Sequence, residues 1–138
     1  MPLDPNILRE VESWLHKSRE DLRAAQVDLD AKPPILGDGL FHCQQACEKS
    51  IKALLCCVQT PFRRVHDLNE LGALAMQSFP ELDSSLDQVA HLSSYAVSTR
   101  YPSDEPEPEI IEATDTLALA RHFVEHISDY IEQIKPLE

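Results

Sequence analysis

Residues 40–59 read L-F-H-C-Q-Q-A-C-E-K-S-I-K-A-L-L-C-C-V-Q. Leu40, Gln44, Cys47, Ile51, Leu54 and Val58 step by three and four, the spacing of one face of an α-helix. Gln45, Glu48, Lys49 and Lys52 fall on another face, with Glu48 placed to pair with Lys52 at i, i+4. The stretch predicts an amphipathic helix with one apolar side and one charged, solvated side.

The flanks extend the helical pattern in both directions. Asp4 before Pro5 is an N-cap with proline at the first helical position. Ile7, Val11, Trp14, Leu15, Leu22, Ala25 and Leu29 then continue at helical spacing to about Asp30. Lys32-Pro33-Pro34 stops this helix, and Gly37-Asp38-Gly39 reads as the turn into the next. Thr60-Pro61 ends the second helix. Asp67-Leu68-Asn69-Glu70 has the form of a capping box opening a short helix through about Ser78. After Phe79-Pro80, Asp83 or Ser84 caps a fourth helix with Leu86, Val89, Ala90, Leu92, Ala96 and Val97 on its apolar side, ending before Pro102. The last helix is expected to start near Pro106 to Pro108. It carries a stripe of Ile110, Ala113, Leu117, Ala120, Val124, Ile127, Ile131 and Ile134 that calls for a partner helix. These elements predict a single all-α domain over 1–138, an antiparallel bundle of about five helices, four long and one short.

Composition agrees with that class. The chain has 138 residues, 43% of them apolar, and only three glycines, too few for the turns of an all-β fold. Twelve Lys and Arg against 24 Asp and Glu give a net charge of −12, which disfavours extended nucleic-acid binding by a monomer surface. No apolar run reaches the roughly 18 residues of a membrane span, and M-P-L-D-P-N lacks the layout of a signal peptide, so a cytoplasmic protein is expected. Cys43, Cys47, Cys56 and Cys57 read as buried free thiols. His42 beside Cys43 and Cys47 permits a metal site to be drawn, but the two-residue Cys spacing and a second ligand pair are missing. No cofactor or resident metal is expected.

Several constellations carry possible chemistry. H-F-V-E-H at 122–126 has the spelling of a zinc-protease helix, without a third ligand downstream; it reads as solvent-facing residues opposite the isoleucine stripe. Arg121 and His126 suit metal-independent ribonuclease chemistry, the base moving a proton and the guanidinium meeting phosphoryl charge. Five residues at about 100° each put them about 140° apart on a straight helix, so they converge only through a bend or a second chain. Arg63-Arg64-Val65-His66 gathers cations before a helix start, where an anion is favoured. In T-R-Y-P, residues 99–102, Pro102 biases Tyr101 away from helical geometry and turns Arg100 and Tyr101 off a helix end together. The acids that follow, Glu107, Glu109 and Glu112, suit the positive end of the last helix.

Taken together, F-H-C-Q-Q-A-C-E-K-S-I-K-A-L-L, V-H-D-L-N-E-L and Y-A-V-S-T-R-Y-P-S-D resemble, in order and spacing, the HEPN domain, a small helical-bundle family of prokaryotes and some large eukaryotic proteins. The resemblance implies a bundle of about five helices that pairs into a homodimer. The family's branches include ribonuclease toxins and proteins proposed to bind nucleotides, many of them encoded beside a minimal nucleotidyltransferase that acts as antitoxin. It assigns Gln45, Glu48, Lys49 and Lys52 to the second-helix motif, His66 and Asp67 to the His-Asp-Leu motif, and Arg100 and Tyr101 to the Arg-Tyr-Pro motif. Arg121 and His126 meet the ribonuclease spelling, Arg, four to six residues, then His, which the Arg-Tyr-Pro subgroup commonly lacks.

The leading expectation is a protein that binds a nucleotide or other phosphorylated ligand and works with a nucleotidyltransferase partner. Lys49, Lys52, Arg64 and Arg100 would meet phosphate, Tyr101 would stack on a base, and His66 would touch ligand or cap its helix. One alternative is a ribonuclease toxin using Arg121 and His126 on RNA. Another is a non-catalytic interaction module in which Glu48, Lys52, Asp67 and Arg100 form a buried polar network.

Overall fold

In a computed structural model that describes residues 3–134, the chain folds as five α-helices with no strand among the described residues. Met1 and Pro2, which open the stretch read for a signal peptide, lie outside those residues. The helices are α1 (Pro5–Asp30), α2 (Leu36–Cys57), α3 (Leu68–Ser78), α4 (Asp83–Ala90) and α5 (Ile110–Ile134), with 3-10 turns at Pro80–Leu82 and His91–Ala96. No helix among the described residues is long and apolar enough to cross a membrane.

α2 is the central element, packed against α1, α3 and α5. Sixteen of its 22 residues are buried, so it is covered on nearly every side and not along one stripe. α1 offers Val11, Leu15, Leu22 and Ala25 to it, and α5 offers Ala113, Leu117, Ala120, Val124, Ile127 and Ile131. The α1–α2 seam also contains Ser18, which is fully buried and donates from Oγ to the Ala46 carbonyl at 2.6 Å. All four cysteines are free and buried, as the pattern predicted. Burial pushes the Cys43 and Cys56 thiols up to about 12, which removes them as thiolate nucleophiles or ready metal ligands.

The caps follow the sequence closely. Asp4 accepts from the Asn6 amide with Pro5 at the first position of α1. Asp67 accepts from the Asn69 amide at 2.9 Å, but Glu70 turns to Arg63 and leaves the capping box half formed.

Several expectations need correction. Gly37-Asp38-Gly39 is the first turn of α2 and not the loop before it; neither glycine has a positive φ. A Cβ on Gly39 would lie 2.4 Å from Leu29 Cδ1 and 3.6 Å from Asp28 Cβ, so glycine stands there to let α1 approach. The fourth helix is short, which makes three long helices and two short ones. Past Ala90 the chain tightens into 3-10 winding of three residues per turn. Leu86, Val89 and Leu92 are buried, the next position in that rhythm is the half-buried Tyr95, and Val97 is left 62% exposed. α5 begins at Ile110, later than the prolines suggested, and Ile110 itself is exposed. Val58, placed on the apolar stripe of α2, is also exposed, lying just past the helix end.

Candidate functional site

The face of α2 read as solvated is covered. Gln45, Glu48 and Lys52 are all buried, with Lys49 partly so, because the loop between α2 and α3 folds back over them. The Glu48–Lys52 pair forms as spaced, with Lys52 Nζ 2.9 Å from Glu48 Oε2, but both groups are out of water. Such a pair persists only if its remaining hydrogen-bonding positions are filled. They are: Glu48 Oε1 meets His66 Nδ1 at 2.8 Å, Gln44 Nε2 at 3.2 Å and Gln45 Nε2 at 3.3 Å. Gln44 Nε2 also donates to the His66 carbonyl at 2.8 Å, which fixes the loop. The Lys52 ammonium lies 5.3 Å from the Trp14 ring centroid and 5.5 Å from that of Phe62, an aromatic wall that holds a cation without a second anion.

Since a carboxylate can only accept, His66 donates from Nδ1 and presents Nε2 outward on a side chain that is 63% exposed. Arg64 is exposed two residues before it, with no ion-pair partner among the described residues, whereas Arg63 is taken by Glu70. The result is an imidazole edge held rigidly from behind by a buried carboxylate, beside a guanidinium available to a ligand.

The other expected site residues go elsewhere. Lys49 Nζ binds Asp21 Oδ2 at 2.6 Å. Asp67 caps α3 and sits near Ser93. Arg100 binds Asp38 Oδ1 at 2.8 Å and stacks 4.3 Å from the Phe41 ring centroid, at the opposite end of α2 from Lys52. Eleven residues of helix separate Phe41 from Lys52, about 16 Å along the axis. The Arg-Tyr-Pro corner and the Glu48 cluster are therefore separate places. Beside that corner is a cleft of about 780 Å³ lined by Tyr95, Tyr101, Glu105, Glu107, Glu109 and Glu112 among others, with no Lys, Arg or His in its wall. Such a wall repels phosphate. Tyr101 is 70% exposed at its rim.

Arg121 and His126 both lie exposed on the outside of α5, and Arg121 donates to Gln26 Oε1 at 2.9 Å. The helix is continuous between them, so they do not converge within one chain. His122 and Glu125 are exposed as expected. His42 turns away from Cys43 and Cys47 toward Asp21 and Asp38.

Sequence reasoning missed Gln44, Trp14 and Phe62 as parts of the cluster. Gln44 had a signal, a polar residue on an otherwise apolar stripe; Phe62 had none, since its role depends on how the loop returns.

The family model described as the HEPN domain matches residues 11–130. A search of curated proteins found no significant match. Among solved structures, TT1696 from Thermus thermophilus is similar at 24% identity and a TM-score of 0.68, over 87% of this chain and 97% of that one. ST0689, described as an archaeal HEPN homologue, is similar at 20% identity and a TM-score of 0.65, over 88% of this chain and 98% of that one.

Proposed function

This chain belongs to the HEPN domain family, and on that premise we propose that it is a non-catalytic member that binds a nucleotide or other phosphorylated ligand. The site is the corner where His66 and Arg64 meet solvent, with Gln45, Glu48 and Lys52 setting the position of the imidazole. The observation that carries this reading is the exposed His66 edge clamped by a buried, fully hydrogen-bonded Glu48. Glu48 pairs with Lys52 and Glu70 with Arg63, so the corner's one guanidinium without an ion-pair partner among the described residues, Arg64, is left to meet an anion in a chain of net charge −12. The acid-lined cleft at Tyr101 does not suit phosphate, so we assign the Arg-Tyr-Pro corner to holding the end of α2 through Asp38 and Phe41.

The proposal includes a homodimer and a minimal nucleotidyltransferase as protein partner, in a toxin-antitoxin-like setting. Contact of this kind is supported by exposed apolar residues at one end of the bundle, Ile35, Val97, Tyr101, Ile110 and Ile111. Four free cysteines suit the reducing cytoplasm, where we place the protein. Sedimentation showing only monomer at micromolar concentration would count against the dimer.

The ligand test is thermal unfolding with a panel of nucleotides. Wild type is expected to gain several degrees at saturating ligand, and His66→Ala and Arg64→Ala to lose that gain while remaining helical. No gain with any nucleotide removes the reading. RNA incubated with wild type, Arg121→Ala and His126→Ala tests catalysis: cleavage lost in both variants would replace the non-catalytic reading with the ribonuclease one.

A further inference from the structure

A second polar cluster lies at the other end of the α1–α2 seam and has no part in the proposed ligand site. Asp28 comes from the last turn of α1, and Asp38 and His42 from the first two turns of α2. One donor atom from each of the three lies within 4.8 Å of the others. Gly39 lies beside this approach: a Cβ there would touch Asp28 Cβ at 3.6 Å and displace the end of the Leu29 side chain.

The hydrogen bonds around the cluster leave its centre unmet. His42 donates from Nδ1 to Asp21 Oδ1 at 2.8 Å, and Asp21 is held in turn by Lys49 at 2.6 Å. The other ring nitrogen, Nε2, then lies 3.3 Å from Asp38 Oδ2. Asp28 Oδ2 is buried and has no hydrogen-bond partner, the one such side-chain atom among the described residues.

We propose that Asp28, Asp38 and His42 bind a divalent transition-metal ion that braces the end of α1 against the start of α2. Two carboxylates and an imidazole are hard and borderline ligands, a set suited to zinc or manganese. Asp21 stands behind His42 as the carboxylate that orients a ligating imidazole, and Arg100 behind Asp38 in the same way. Donor distances near 2.1 Å require the three side chains to draw in by less than an ångström from their mutual 4.8 Å limit. Three protein ligands leave a fourth position for water.

The test is equilibrium dialysis of chelator-treated full-length protein against zinc, with thermal unfolding alongside. Wild type is expected to retain one ion per chain and to gain roughly 5–10 °C at a free zinc concentration about a hundred times Kd. Asp28→Asn and His42→Gln should each weaken binding at least tenfold, while a His122→Gln, His126→Gln double variant binds as wild type does. Asp28→Asn keeps the shape and relieves the unmet charge, so it folds and decides the question even if His42→Gln does not. No retained ion overturns the proposal. So does zinc binding that survives Asp28→Asn, or that is lost with His122 and His126.

Discussion

Glu48 lies on α2 under the loop to α3 and Asp28 on α1 beside the start of α2, and the two acids differ in what surrounds them. Around Glu48 the donors are Lys52, Gln44 and Gln45 of α2 itself and His66 of the loop that returns over the helix, so both oxygens are met although the residue is only 2% exposed. Around Asp28 the adjoining group is another carboxylate, Asp38, and one oxygen, Oδ2, stays unmet. A buried acid surrounded by donors is a structural fixture; a half-buried acid with an unmet oxygen beside another carboxylate is a vacancy for a proton or a cation. The two ends of one helix thus show how partner chemistry, and not burial alone, separates a scaffold from a binding site.

The largest loss of stability is expected at Lys52. Lys52→Ala leaves Glu48 buried with its ion-pair partner gone, and unfolding by denaturant should show a loss of about 3–5 kcal/mol. Replacing both, as Glu48→Leu with Lys52→Met, should cost less than the single change, because no stranded charge remains. A Lys52→Ala loss below about 1 kcal/mol would mean that water reaches the cluster.

Gly39→Ala should come next, within about 1 kcal/mol of wild type, since the shift its Cβ forces on the end of the Leu29 side chain is offset by the helix preference for alanine. The same variant should loosen the Asp28 cluster and leave the Glu48 cluster as it is, readable in amide exchange at each end of α2.

Asp28→Asn should act in the opposite direction. An acid raised from 3.8 to about 6 favours folding while protonated; that contribution is complete below about pH 3.8 and is lost as pH rises through about 6. In chelator-treated protein at pH 7 the amide should therefore be more stable than wild type by about 1 kcal/mol, after allowance for solvent screening of a partly exposed group. The gain should vanish below pH 4, and a gain that persists there would show the charge to be irrelevant.

Arg100→Ala should have the smallest effect, below about 1 kcal/mol, because its pair with Asp38 and its stacking on Phe41 are nearly half exposed. A larger loss would make the Arg-Tyr-Pro corner a stronger brace than its exposure suggests.

The helices were legible in the sequence wherever apolar spacing and caps agreed, as in α1, with Asp4 and Pro5 at its start, and the interior of α5. Spacing failed where the winding changed, since a 3.6-residue rhythm carried past Ala90 put Val97 in the core in place of Tyr95. It also failed at Gly37 and Gly39, because a glycine needed for helix contact looks in sequence like a glycine needed for a turn. For the site, the motif residues on α2 were visible but their burial was not: a charged face appears solvated until a loop without periodicity closes over it. Asp28 and Asp38 left no signal at all, being ten residues apart and joined only by how the α1–α2 turn folds.

The central claim is that the clamped His66 edge, and not the Tyr101 cleft, is where a phosphorylated ligand binds. A nucleotide titration followed by backbone amide chemical shifts tests it most directly. Saturating shifts centred on Arg64, Val65, His66 and Gln45 are expected. Shifts centred on Tyr101 and the Glu105–Glu112 wall, or none at millimolar nucleotide, would contradict it.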